Sequence, residues 1–189
     1  MKKTCFRAGV WLFLILLGST VCWAESASDK VTDQAEPLTA QSVFEMLKGF
    51  EGTWKGVAKG EGGDESEEMP GAVHEFRVAS AGTVVMETMN QGTPHEMINM
   101  YHLDGDDLRL THYCAANNQP QMKLIRQKSS KNKLFFDFIG GTNMDPEVDH
   151  HIHSVEITID DENHILSSWV GYNKGKPAGV MNFRLGREQ

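Results

Sequence analysis

Hydrophobic periodicity divides the chain at Gly49. Before it, Val43, Phe44 and Leu47 recur at helical spacing, and Thr39 is a suitable N-cap. The pattern predicts a short amphipathic helix of about ten residues that ends at Gly49. After Gly49 the period changes to two, which is typical of half-buried β-strands because successive side chains point to opposite faces of a sheet.

Ten segments with the two-residue period are strand candidates. They alternate with polar stretches such as "DGDD" at 104–107 and "DDEN" at 160–163, whose composition favours tight hairpin turns. This order predicts an all-β fold, an antiparallel up-and-down β-barrel of about ten strands with a short N-terminal helix. A tight sandwich is the alternative. The candidate strands are 53–60, 72–80, 83–90, 95–103, 107–115, 121–128, 133–139, 149–159, 164–172 and 177–186.

The start of the chain has the pattern of an export signal. Three basic residues precede an apolar run at 8–17, and the segment 22–24 fits a cleavage site. The run is short for a membrane span, which needs about 20 residues. We therefore expect a signal peptide at 1–24, a flexible polar leader at 25–38 and a barrel domain at 39–189. The mature protein would be periplasmic or secreted, with no stable membrane span.

The net charge limits the kinds of partner that the mature protein can bind, and the cysteine content limits its disulfides. The formal net charge is −8, and removal of the three signal-peptide cations, with no acidic residue lost, brings it to −11. An acidic exported domain argues against nucleic acid and against anionic membrane surfaces. Cys5 and Cys22 would leave with the signal peptide. Cys114 would then be the single thiol of the mature chain, which excludes an intramolecular disulfide.

Candidate chemistry concentrates in two segments. In "LTHYCAANNQP" at 110–120, strand alternation places His112 and Cys114 on one face. In "DHHIHSVEITID" the same rule places His151 and His153 on the face of the apolar valine and isoleucine residues. Alternation alone therefore predicts four potential ligands that point into the barrel from two strands.

These four residues support three hypotheses. The leading one is an exported protein that binds a small, partly apolar molecule of unknown identity, with Gln119 at the barrel mouth adding a hydrogen bond. The second is an enzyme, because three imidazoles and a thiolate suit a transition metal and a Cys–His pair suits nucleophilic catalysis. The third is a packed structural or interaction module without ligand. The enzyme of the second hypothesis would use His112, Cys114, His151 and His153.

The stretch "FEGTWKGVAKG" resembles the first strand of the calycin superfamily. That group contains the lipocalins, the fatty-acid-binding proteins and the nitrobindin-like barrels, in which a short helix precedes a Gly-x-Trp strand. The matching residues here are Gly52, Trp54 and Gly56. In those barrels the tryptophan closes one end, and a basic residue of the last strand packs over it. The resemblance implies that structural role for Trp54 and Arg184.

The Gly-x-Trp start also resembles uncharacterised bacterial exported domains of the DUF1579 type, which bring no known activity. Nitrobindin-like members hold haem through a histidine near the last strands. This sequence has no histidine after His164. Haem is therefore not favoured, and no residue is assigned to it.

Overall fold

A computed structural model describes residues 38–61 and 68–189. The predicted signal peptide, and the predicted leader except for Leu38, lie outside the described residues. No helix in the described part of the chain is long and apolar enough to cross a membrane. The elements are α1 (Ala40–Lys48), β1 (Gly52–Glu61), β2 (Glu68–Ala79), β3 (Val84–Met89), β4 (Met97–Asp104), β5 (Asp107–Tyr113), β6 (Gln119–Leu124), β7 (Lys133–Thr142), β8 (His151–Asp161), β9 (His164–Asn173) and β10 (Lys176–Arg187).

The ten strands form a closed antiparallel barrel. Each strand pairs with its neighbours along the chain, and β1 pairs with β10 to close the ring. This confirms the predicted up-and-down barrel. The largest differences from the predicted bounds are at β2, which begins at Glu68, and at β6, which ends at Leu124. The predicted β6 continues to 128, whereas in the structure the polar segment Arg126–Lys128 forms a short 3-10 turn after the strand.

The helix α1 covers one end of the barrel. Thr39 caps it as predicted, because its Oγ1 accepts a hydrogen bond from the Ser42 amide at 3.0 Å. The apolar side chains of Val43, Phe44 and Leu47 are buried, and the helix contacts strands β2 to β5. We call this end of the barrel the closed end.

Trp54 is the centre of the closed end. Its indole is fully buried, and Nε1–H donates to the Phe50 carbonyl oxygen at 2.8 Å. The rings of Phe50 and Phe76 meet it edge to face, at centroid distances of 5.7 and 6.3 Å. Such aromatic contacts add to the stabilisation from burial alone. The barrel-closing role predicted for Trp54 fits this position.

The cation over Trp54 is Arg187, not the predicted Arg184. The guanidinium carbon of Arg187 lies 4.4 Å from the indole centroid, and the side chain also donates hydrogen bonds to two backbone carbonyls of the α1–β1 connection. Arg184 is exposed because its neighbours Phe183 and Leu185 point into the barrel. The basic residue belongs to the last strand, as predicted, but alternation selects a different one.

The opposite end of the barrel is the mouth. The connections 90–96, 114–118, 143–150 and 174–175 lie there, because every second hairpin of a meander turns at the same end. At the mouth β7 and β8 separate: their ladder ends at the pair Asp137 and Ser154, whereas β7 continues to pair with β6 and β8 with β9. The barrel wall is therefore less regular at the mouth than at the closed end.

Candidate functional site

Five buried polar side chains form a network across four adjacent strands inside the barrel. Each is at most 1% exposed. Glu87 and Asn99 face each other on β3 and β4, and Asn99 and His112 face each other on β4 and β5. We call this set the interior network. Its members are His74, Glu87, Asn99, Tyr101 and His112.

The carboxylate of Glu87 is the centre of the interior network. Its Oε1 lies 2.7 Å from His74 Nδ1, and its Oε2 accepts from the Tyr101 hydroxyl at 2.7 Å and the Asn99 amide at 2.8 Å. Proximity to this carboxylate and burial both raise the pKa of Tyr101, with burial the larger cause, so the phenol stays protonated and donates. Buried carboxylates are costly without such partners, and here three groups surround one carboxylate.

The network sets the orientation of His112. Because Asn99 Nδ2 donates to Glu87, its Oδ1 is directed to His112, and it accepts from Nδ1–H at 2.7 Å. Burial lowers the pKa of His112 to about 4, and the attraction of Glu87 only partly opposes this. The ring is therefore neutral near pH 7, with its hydrogen on Nδ1 and a lone pair on Nε2.

Two nitrogen atoms of the network lack a partner. Among the described residues, His74 Nε2 and His112 Nε2 are buried and make no hydrogen bond. We call them the orphan nitrogens. Aromatic rings of the last two strands cover the two imidazoles: Phe183 lies 4.7 Å from His74 and Trp169 lies 5.3 Å from His112, between ring centroids. A buried polar atom without a partner costs about 1–3 kcal/mol and is rare in folded proteins.

A pocket with a volume of about 360 Å³ opens at the mouth. Its lining is mostly apolar, with three methionines that can adapt to different shapes. Its volume suits a small organic ligand. We call it the mouth pocket; it is lined by Ala58, Met69, Pro70, Gly71, Ala72, Asn90, His95, Met97, Met181 and Phe183.

The mouth pocket lies directly above the interior network. Ala72 precedes His74 by two residues on β2, and Met97 precedes Asn99 by two residues on β4. Residues two apart on a strand share a face and are about 7 Å apart. Phe183, which lines the pocket, packs on His74. A ligand in the pocket would therefore rest on side chains that contact the network.

Cys114 and Gln119, predicted as ligand contacts, lie at the mouth on either side of the β5–β6 turn, and Gln119 begins β6. Cys114 follows the end of β5, and its backbone amide donates to the Asn118 carbonyl at 3.0 Å. Burial raises the pKa of the Cys114 thiol, which keeps it protonated and weakens it as a nucleophile. Gln119 Oε1 accepts from the Thr142 hydroxyl at 2.9 Å and so ties β6 to β7.

His151 and His153 lie together, as predicted, but not on the face of Val155. His151 Nε2 and His153 Nδ1 are 3.2 Å apart, and the His153 ring stacks on Tyr172 at 3.8 Å between centroids. A β-bulge between Ile152 and Ser154 interrupts the alternation, and Ile152 packs against the core. Burial lowers the pKa of His153, and the neighbouring His151 adds to this effect.

The four predicted metal ligands belong to separate sets of contacts. His112 contacts Asn99 and Trp169, whereas the rings of His151 and His153 contact Phe138 and Tyr172. Within residues 38–61 and 68–189, no three His, Cys, Asp or Glu side chains are grouped so that they could hold a metal ion. The structure thus joins the two mouth histidines and assigns His112 to the interior network.

Sequence reasoning missed most of the interior network. The available signal was a polar residue at an inward position of an apolar alternation. Glu87 stands between the buried Val85 and Met89, and His74 stands two residues before the buried Phe76. A carboxylate flanked in this way requires buried partners, but only the strand register identifies them.

No protein-family model matches the chain, and no curated protein matches it. Among solved structures, the chain is similar to a protein of unknown function of the DUF3598 family from Nostoc punctiforme, with 11% identity and a TM-score of 0.45. The match covers 75% of this chain and 49% of that protein, so the matched part corresponds to about half the length of the Nostoc protein.

Proposed function

We propose that the protein is an exported small-molecule-binding protein whose ligand occupies the mouth pocket. The observation that carries the proposal is the position of this apolar pocket on the mouth side of the interior network, which contains two buried, orphan nitrogens. Binding sites for small molecules combine an apolar lining with a few polar groups that orient the ligand. The pocket and the interior network together have that composition, and the closed end gives them a rigid base.

The calycin-like resemblance is part of this proposal. A helix that covers one end, a buried first-strand tryptophan and a last-strand arginine above it are features that the calycin pattern leads one to expect. A barrel of this size encloses about one small ligand. The ligand class that follows is a small molecule with a predominantly apolar body, because the inward-facing lining contributed by Ala58, Ala72, Met97 and Met181 is apolar.

Export is supported by the basic and apolar pattern of residues 1–24. We expect the mature protein to begin at Glu25 and to be found in the periplasm or the medium. N-terminal sequencing of the native protein from each cell fraction tests this. A full-length chain that begins at Met1 and stays in the cytoplasm would contradict export without affecting the binding proposal.

A substitution that fills the mouth pocket tests whether the ligand binds there. Ala58 is buried and lines the mouth pocket, whereas its neighbour Lys59 is exposed on the outer face of β1. Ala58→Trp should block the pocket, and Lys59→Trp is the matched control. Native mass spectrometry of the proteins should find organic mass on the wild type and on Lys59→Trp but not on Ala58→Trp.

A fluorescence titration with 2-methoxynaphthalene, an apolar probe of suitable size, provides a second readout. We expect saturable binding to the wild type and to Lys59→Trp, and a loss of at least about tenfold in affinity for Ala58→Trp, since the indole would occupy the space of the probe. Equal binding by both variants would show that the ligand lies elsewhere. No binding by the wild type in either experiment would refute the proposed function.

A further inference from the structure

We infer that the ligand carries a neutral hydrogen-bond donor at the end that enters the barrel, and that His112 Nε2 accepts it. The inference rests on the proposed function and specifies its ligand. Two observations carry it: the hydrogen-bond polarity of the interior network, and the position of the network below the mouth pocket.

The polarity begins at Glu87 and ends at His112. The carboxylate takes the Asn99 amide hydrogen, and this leaves the Asn99 oxygen to accept from His112 Nδ1–H. The only free position of a neutral ring is then the lone pair on Nε2. His112 is 1% exposed, so this lone pair is shielded from bulk solvent. A donor brought by a ligand would remove the cost of the unsatisfied acceptor.

The same arrangement discriminates against ligands without a donor. A site that is built to hydrogen-bond a substrate hydroxyl rejects the analogue that lacks it, because the buried partner then remains unpaired. Discrimination of this kind is stronger than discrimination by the size of an apolar group. The orphan nitrogen of His112 is thus expected to determine specificity rather than to add general affinity.

Two methionines of the pocket lining lie next to residues that contact His112. Met181 lines the pocket and is the cross-strand partner of Trp169, whose ring covers the His112 imidazole. Met97, also in the lining, precedes the His112 partner Asn99 by two residues on β4. Methionine side chains rotate at low cost. For the donor of a ligand to meet His112 Nε2, these methionines and the Trp169 ring that covers the imidazole would have to move, while the strands keep their positions.

The charge of the site favours a neutral donor. The ten lining residues of the mouth pocket include no lysine or arginine, and Phe183 of the lining packs on His74, the partner of the buried carboxylate of Glu87. A carboxylate or phosphate at this depth would lose its hydration without gaining a cationic partner. A hydroxyl or an amide N–H costs less to bury and satisfies the lone pair. The ligand class is therefore a small apolar molecule with an alcohol, phenol or amide hydrogen.

A matched pair of probes tests the donor. At pH 7, 2-naphthol and 2-methoxynaphthalene have the same aromatic body, but only the naphthol can donate a hydrogen bond. We expect the wild type to bind 2-naphthol at least about tenfold more tightly. The methyl group makes the ether more apolar, so burial alone predicts the opposite order. Equal affinities, with both probes blocked by Ala58→Trp, would overturn the inference and leave the proposed function intact.

The variant His112→Asn tests the acceptor. The amide nitrogen of Asn replaces Nδ1–H as the donor to Asn99, but the variant has no atom at the position of Nε2. The ratio of the two dissociation constants should fall to about one. An unchanged ratio would overturn the assignment to His112. If the variant does not fold, nitrogen NMR of the wild type decides: the unprotonated His112 nitrogen should shift with 2-naphthol, and no shift would refute the contact.

Discussion

The closed end and the mouth of this barrel differ in how completely their buried polar groups are hydrogen-bonded. At the closed end, Trp54 Nε1–H has the Phe50 carbonyl as its partner, and Arg187 stacks on the indole while it donates to two carbonyls. Below the mouth, the histidines of the interior network each use one ring nitrogen and leave the other orphan. Trp54 and the two network histidines are each at most 1% exposed.

Because of this difference, we expect the closed end to contribute mainly to stability and the interior network to contribute to ligand selectivity. A satisfied polar group stabilises the fold and leaves nothing for a ligand, whereas an orphan nitrogen is a cost to the free protein that a ligand can remove. Local departures from complete satisfaction are expected at functional sites. Changes at the closed end should therefore alter the free energy of unfolding without altering probe selectivity, and changes in the network should alter selectivity.

The largest effect is expected at the seam between β1 and β10. A Cβ atom on Gly56 would lie 1.9 Å from the Arg184 carbonyl oxygen, and backbone cannot move aside as a side chain can. Gly56→Ala should cost more than about 3 kcal/mol or prevent folding. Urea denaturation measures this. Gly186→Ala on β10 is the control, because its Cβ would meet only ordinary contacts at 3.7 Å, and it should change stability by less than about 1 kcal/mol.

The next effect is a dependence of stability on pH that comes from the network. Burial lowers the pKa of His112 to about 4, below the value of about 6.5 in an unfolded chain. Between these values the unfolded state binds a proton that the folded state does not. Stability due to this group is therefore complete above about pH 6.5 and is lost as pH falls towards 4, by roughly 3 kcal/mol in total.

Comparison with His112→Asn isolates that contribution. From pH 7 to pH 4 the wild type should lose roughly 3 kcal/mol more stability than the variant, measured by urea denaturation at each pH. The exposed pair Asp161 and His164, and the mouth histidine His153, are present in both proteins and cancel in the difference. Parallel curves for the two proteins would mean that His112 is not held neutral by burial.

The smallest effect is expected at the closed end, where two arginines of β10 can be compared. Arg187→Met should lower stability by about 2 kcal/mol, because it removes the cation over Trp54 and two hydrogen bonds. Arg184→Met, at an exposed position of the same strand, should change it by less than about 0.5 kcal/mol. Thermal denaturation distinguishes them. The preference for 2-naphthol should be the same in both variants; a loss of it in Arg187→Met would show that the two ends are coupled.

Most of the fold could be predicted because its signals are local. The cap at Thr39 and the end of α1 near Gly49 follow from residues within one turn of the helix. The strand alternation and the polar turns likewise follow from neighbouring residues. Where the prediction failed, at the bulge between Ile152 and Ser154, the cause is one additional residue in a ladder, which no local pattern reveals.

The candidate site was less accessible to sequence reasoning. His112 was identified from its inward position, but its partners are contributed by three other strands, and Glu87 and Asn99 are separated from it by 25 and 13 positions in the chain. His151 and His153, two residues apart, were predicted to point inward with His112 because alternation places both on the apolar face, yet their contacts are with Phe138 and Tyr172 rather than with His112. Proximity in sequence and proximity in the barrel select different histidines.

The sequence by itself determined the all-β class, the number of strands and the N-terminal helix. These features depend on periodicity and turn chemistry, which act over a few residues. Only the tertiary structure decided which arginine lies over Trp54, which histidines share a site and that Glu87 orients His112 through Asn99. Those contacts depend on strand register, and register is set by pairing across the whole barrel, where a shift of one residue moves every side chain to the other face.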